Sequence, residues 1–195
     1  MEITSFLGGA TGPWRVTSMT AVRGAGLTPV EGLTVLEEPP RPAAPCTWRL
    51  RGLGSNHRYA TRAELDALGT VQAGLGRVEA TCAALIPIRK SDAWWRMAQD
   101  ERLALFGERS GHTRIGMDYL PGVARRLLHC RDIGEPFDFL TWFEFAPAEA
   151  PAFEELLRRL RAIEEWSFVE REVEVRLQHV PGWSDWELHA QHSRQ

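Results

Sequence analysis

The sequence predicts an α+β protein, and three patterns predict it. Val169, Arg171, Val173, Val175 and Leu177 alternate with Glu170, Glu172, Glu174 and Arg176, the period of two that marks a half-buried strand. Phe153, Leu156, Leu157, Leu160 and Ile163 recur at helical spacing within Ala148 to Ile163, opposite a Glu/Arg face, so this helix should lie on a sheet. Short apolar runs from Val123 to Cys130 and from Phe139 to Phe145 supply further strands. Strands flanking amphipathic helices, in two halves of similar size, suggest two ferredoxin-like β-α-β units sharing one sheet system, inferred from element order because no strong internal repeat is visible.

The remaining elements follow in chain order. Trp14 to Val22 has the β-branched and apolar content of a strand. From Arg23 to Pro45 prolines and glycines crowd together, Pro39, Pro40 and Pro42 among them, and the stretch reads as a long surface connection. Cys46 to Gly52 alternates like a strand, Arg62 to Leu68 reads as a short helix, and Glu79 to Ile88 as a buried strand. Ser91 and Asp92 give an N-cap signal for a helix running to Phe106, with Trp94, Met97 and Leu103 on roughly one side. In the two later strands, side chains two apart share a face, which joins Arg125 to Leu127 and Thr141 to Phe143. Pro181 to Gln195 reads as an ordered fringe or a loose C-terminus.

Composition narrows the function classes. The 195 residues carry 23 Lys and Arg against 26 Asp and Glu, a net charge of -3, with no basic run to meet a nucleic-acid duplex or an anionic membrane. At 44% hydrophobic and 25% charged residues, a sizeable core can form without metal or disulfide staples. Cys46, Cys82 and Cys130 are widely spaced, with no CxxC and no zinc-type Cys/His cluster, and read as reduced core thiols. Met1 to Ala10 lacks a basic and apolar leader pattern and no apolar stretch is long enough to span a membrane, so a soluble cytoplasmic protein is expected.

Few residues carry a chemical signal on their own. His57 falls in a Gly/Ser/Asn loop, His129 in a strand, and His179, His189 and His192 near the end, without metal-site spacing. His112 differs, because it follows Ser110-Gly111 and lies between two apolar elements that could enclose a flat cofactor. Arg125 is a cation in a strand of Val, Ala and Leu; facing an apolar cavity it would hold a small anion, whereas Arg126 beside it reads as an edge-strand residue with its head in water. Lys90 and Glu165 read as ordinary surface residues, and Gly74-Leu75-Gly76 is too short for a dinucleotide fingerprint.

Longer motifs say more. Val71-Gln72-Ala73-Gly74-Leu75-Gly76-Arg77, Ile86-Pro87-Ile88-Arg89-Lys90-Ser91 with Trp94-Trp95, the run from His129 to Phe145, Glu164-Glu165-Trp166 and Val169-Glu170-Arg171-Glu172-Val173 together resemble the chlorite dismutase family, in its compact short-chain branch. The resemblance covers about Trp48 to Leu177. It implies a dimeric ferredoxin-like α+β barrel with two such units per chain, one haem b per subunit, and a homodimer. The corresponding divisions are 1–85 for the N-terminal unit, with its connection at 23–45, 86–180 for the haem-binding unit, and 181–195 for the tail. His112 matches the proximal iron ligand and Arg125 the distal arginine. Glu165 matches the carboxylate that accepts a hydrogen bond from the proximal imidazole, and Lys90 its basic neighbour. Gln72 resembles the residue that can hold the arginine away from the iron, Leu127, Thr141 and Phe143 the distal lining, and Trp94 and Trp95 the aromatic pair near the haem edge and propionates.

The implied reaction turns the small anion chlorite into chloride and dioxygen, through a ferryl haem and transient hypochlorite that Arg125 would retain. Rival readings are a haem carrier, a haem-dependent sensor and a peroxidase-like relative. Coproheme decarboxylase resembles this fold too, but the position of its tyrosine falls on Ile86, and the tyrosines here are Tyr59 and Tyr119.

Overall fold

The computed structural model describes residues 3–37, 46–54 and 74–183. Within them β1 (Ile3–Gly9), β2 (Trp14–Arg23), β3 (Gly32–Glu37), β4 (Trp48–Gly54), β5 (Cys82–Lys90), β6 (Val123–His129), β7 (Phe139–Phe145) and β8 (Val169–His179) close into an antiparallel barrel. Its strand order is β1-β3-β2-β8-β5-β7-β6-β4. The first four strands thus form a block ordered 4-1-3-2 and the last four a block ordered 8-5-7-6, the same arrangement twice. One seam between the blocks, β2 with β8, runs from Trp14↔His179 to Arg23↔Glu172. The other, β4 with β6, is only Leu53↔His129 and Gly54↔Leu128. The described helices all fall between β5 and β8: α1 (Asp92–Arg96), α2 (Gln99–Ala104), a π-helical turn at Leu105–Arg109, α3 (His112–Met117) and α4 (Ala150–Arg161).

Because side chains alternate across a strand, one sheet serves two cores. Phe6, Leu33, Leu50, Leu85, Leu128, Trp142 and Val175 come from strands all round the ring and fill the barrel. Ala84, Ile86, Ile88, Phe143 and Phe145 of β5 and β7, with Val123 of β6 and Val169 of β8, form an outer core with Phe153, Leu156, Leu157 and Leu160 of α4. The helical stripe therefore covers the outer face of the sheet, as its periodicity predicts. Phe153 is fully buried, 5.1 Å from the ring of Phe143 and 4.5 Å from that of Phe145. Beside it an ionic row ties helix to strand: Arg161 bonds Glu172 and Glu174, and Arg176 bonds Glu174 and Glu154.

Several expectations need correction. The Pro/Gly-rich stretch from Arg23 to Pro45 holds β3, whose Leu33 and Val35 pack into the barrel between flanking glycines and prolines that mask the pattern. No sequence pattern marks β1, because Thr4, Ser5 and two glycines dilute its apolar content. The helix expected through Phe106 breaks at Met97, which is extended at φ -64 and ψ 145, and restarts at Gln99. Leu103, placed on its apolar side, is exposed. Arg126 is on no edge, since the barrel is closed, and its guanidinium meets Glu37. Among the free cysteines Cys130 is buried, Cys82 half-buried and Cys46 exposed, so the core-thiol reading holds for Cys130 alone. The helix expected at 62–68, His57, Gln72, Tyr59, His189 and His192 lie outside the described residues. Among the described helices none is long and apolar enough to cross a membrane.

Candidate functional site

β6 and β7 set one wall. In their register Arg125 lies directly opposite Phe143 and Leu127 opposite Thr141, so the two pairs inferred from alternation form a single four-residue patch on the outer face of the barrel. β5 extends it, with Ile86 opposite Thr141 and Ile88 opposite Phe139. Trp94, Phe106, His112, Glu165, Trp166 and the α4 residues Leu157 and Leu160 complete a partly open cavity of about 140 Å³. Its lining is mostly apolar, broken by His112, Lys90, Arg125, Thr141 and Glu165.

The chain is shaped to present His112. Gly111 adopts the left-handed conformation, φ 60 and ψ 31, and this turn starts α3 with His112 as its first residue. The imidazole stacks on Phe106, centroids 4.3 Å apart and planes 19° from parallel. Its Nδ1 lies 2.6 Å from Glu165 Oε2. Glu165 is itself fixed: its backbone N–H donates to Ser110 Oγ, and Lys90 Nζ donates to Oε1 at 2.5 Å and to the Glu165 carbonyl at 3.3 Å. The Lys90 backbone N–H is held by Asp138 at 2.7 Å, and its ammonium lies 4.8 Å from the ring of Trp94 and 5.3 Å from that of Trp166.

Reading Lys90 and Glu165 as surface residues is thus overturned. Both side chains are 4% exposed. Each charge tolerates burial because the other is present, and a pairing across 75 positions leaves no trace in local pattern. Burial pushes the Glu165 carboxyl up, but the His112 imidazole and then the Lys90 ammonium outweigh it and hold the group at about 2. Burial lowers Lys90 below its ordinary value, with Glu165 working in the other direction. Arg125 is lowered by burial as well, yet a guanidinium keeps its proton throughout the accessible range.

Most of the anticipated site residues meet at this cavity: His112, Glu165, Lys90, Trp94, Arg125, Leu127, Thr141 and Phe143 all line it. Trp95 does not. It stacks behind the lining residue Phe139 at 6.1 Å, its indole N–H donates to Asp138, and the Arg131 guanidinium covers its ring at 4.2 Å. Gln72 is outside the described residues. Sequence reasoning missed Phe106, Phe139, Ile88 and Trp166 as wall residues. Leu157 and Leu160 carried a signal, the α4 stripe, but it could not say that its end faces a cavity. Ile86, where the decarboxylase tyrosine would fall, is an apolar part of the wall.

The sequence profile of the chlorite dismutase family matches residues 56–178, and the cavity lies within the same segment. The chain belongs to the chlorite dismutase family. A chlorite dismutase of Ideonella dechloratans is 31% identical over 83 residues, which is 43% of this chain and 27% of that protein. The crystal structure of a dimeric chlorite dismutase from Nitrobacter winogradskyi is 54% identical, superposes with a TM-score of 0.84, and is matched over 91% of this chain and 99% of that one. A chlorite dismutase of Candidatus Nitrospira defluvii in complex with imidazole shares the fold, at a TM-score of 0.61 and 17% identity over 99% of this chain and 95% of that one. The cavity that gathers these residues lies on the outer wall of the barrel, against α4.

Proposed function

We propose that this protein is a haem b enzyme that converts chlorite into chloride and dioxygen. The observation that carries the reading is the pairing of His112 with Glu165 at the wall of a mostly apolar cavity that Arg125 also lines. With Nδ1 committed to the carboxylate, Nε2 is the nitrogen left for a metal, and the buried anion fixes the orientation of the ring. A bare ion would need several protein ligands, and no group of three His, Cys, Asp or Glu that could hold one occurs among the described residues. Haem brings four nitrogen ligands of its own and a flat apolar body, which suits one imidazole in an apolar slot.

When bound, haem would supply the iron centre at which chlorite gives up its oxygens. The chain's residues would do the rest. His112 would hold the iron and Glu165 would fix the imidazole, with Lys90 balancing the carboxylate. Arg125 would draw in the anion and retain hypochlorite until its oxygen is used, because its charge acts strongly where water is excluded. Leu127, Thr141 and Phe143 would wall the anion off from solvent. A guanidinium does not serve as an acid or base here, so retention is its task.

The repeated 4-1-3-2 strand order supports reading the chain as two ferredoxin-like units, the second holding the haem, with the division placed before β5 (Cys82–Lys90) because the expected boundary between 85 and 86 would cut that strand. The N-terminal unit is reduced, since only residues 10–13 connect β1 to β2 and leave no room for a helix. A homodimer in the cytoplasm completes the proposal, the dimer supported by the likeness to the Nitrobacter winogradskyi enzyme. The test is oxygen evolution on an electrode after chlorite is added to haem-loaded protein. Rapid evolution that disappears in His112→Ala upholds the assignment, and Arg125→Ala should keep its haem but release hypochlorite and bleach faster. No oxygen from a fully loaded protein would point instead to a haem carrier or sensor.

A further inference from the structure

Gly116 stands inside α3, one turn beyond His112 and on the same side of the helix. Glycine is a poor choice there, since apart from proline it is the weakest helix former. Its backbone does not require glycine either, because Gly116 is not among the glycines with positive φ. What the position does require is the missing side chain. A Cβ at Gly116 would fall 2.1 Å from Nη1, 2.9 Å from Cζ and 3.1 Å from Nη2 of Arg125. All three atoms belong to one guanidinium, which reaches across from β6 and rests on the bare helix backbone. Gly107, on the π-helical turn of the same segment, has nothing within 4 Å of the same point, so this contact is specific to position 116.

We propose that Gly116 is a positioning residue for Arg125: the gap left by its absent side chain is the seat that fixes where the guanidinium lies in the cavity, and thereby sets how strongly a small anion is held. The proposal rests on the reading of Arg125 as the anion-holding group and deepens it. A methyl group at 116 must push this half-buried guanidinium aside, and groups in direct contact respond together instead of independently.

The test is a double-mutant cycle of Gly116→Ala and Arg125→Ala, read twice. In the haem-free chain, Gly116→Ala should lower Tm by about 2 to 4 °C with Arg125 present. In the Arg125→Ala background it should leave Tm unchanged or raise it, since alanine is the better helix former once the guanidinium is gone. In the haem-loaded protein, fluoride is titrated by visible absorbance. Arg125→Ala should weaken fluoride by about tenfold, the worth of one charge-assisted hydrogen bond. Gly116→Ala should weaken it similarly and the double variant no further.

An equal fall in Tm in both backgrounds would reduce Gly116 to helix packing and overturn the seat. Unchanged fluoride affinity in Gly116→Ala would overturn its hold on the anion. Should Gly116→Ala fail to fold, folding of the double variant upholds the coupling and its failure refutes it. Should haem not bind, or Arg125→Ala leave fluoride untouched, the functional reading itself falls, while the haem-free cycle still decides the seat.

Discussion

Replacing Lys90 by methionine removes one charge from a buried ion pair and keeps most of the volume. The ammonium makes a 2.5 Å bond to Glu165, and both side chains are 4% exposed, so solvent cannot replace it. Removing one partner of such a pair typically costs about 3 to 5 kcal/mol, because the other charge is left buried and uncompensated. His112 still lies 2.6 Å from the second Glu165 oxygen, which argues for the lower end, about 3 kcal/mol. For a chain of this size that is a fall in Tm of about 6 to 12 °C. The assay is urea unfolding of the haem-free protein with both far-ultraviolet circular dichroism and tryptophan fluorescence, to establish a single transition. The reasoning makes a sharper demand of the double variant: Lys90→Met with Glu165→Gln removes both charges and should recover more than half of the loss. If Lys90→Met stays within about 1 kcal/mol of the parent, or the double variant is no better than the single, the stranded carboxylate is not the source of the cost.

The other predictions concern the ligand, the outer core and the ionic row. His112→Ala should fold, since its side chain is partly exposed, but should lose tight binding in a hemin titration followed at the Soret band; an unaltered titration would remove His112 as the iron ligand. Phe153→Ala, at the fully buried junction of α4 with Phe143 and Phe145, should cost about 3 to 5 kcal/mol in urea unfolding, and a loss below 1 kcal/mol would mean that the helix re-seats. For Glu174, burial acts to raise the carboxyl, but hydrogen bonds from Arg161 and Arg176 prevail and hold it below its ordinary 4.5. Its contribution is therefore present above pH 4.5 and lost as acid protonates the folded form, so urea midpoints should fall less steeply below pH 4.5 in Glu174→Gln than in the parent. Parallel curves would contradict this.

What could be read from the residues was periodic. β8 and α4 announce themselves because one face is buried and the other solvated, and β7 is found at Phe139–Phe145 as expected. The same alternation pairs Arg125 with Leu127 and Thr141 with Phe143, while the β6–β7 register is what joins the two pairs on one surface. Elements whose sides are both covered, such as β1, lose that contrast, and β3 is hidden by the turn residues around it. The charged centre of the site was illegible for a different reason. Nothing local marks Lys90 or Glu165 as buried, because the energy that keeps them there comes from each other, and only the resemblance of longer motifs pointed to them. The seat at Gly116 is of the same kind, a fact about two elements and not about either one.

The two-sided use of β5 has a consequence for how this protein tolerates change in length. Ala83 and Leu85 fill the barrel, while Ala84, Ile86 and Ile88 form the outer core and cavity wall. Losing or gaining a single residue within this strand would turn each set toward the other's place, so that barrel-filling residues would face the cavity and its wall residues Ile86 and Ile88 would be driven inward. Point substitutions on one side can accumulate with little effect on the other, but insertions cannot. The strand is a printed page whose two sides can be edited separately and never cut.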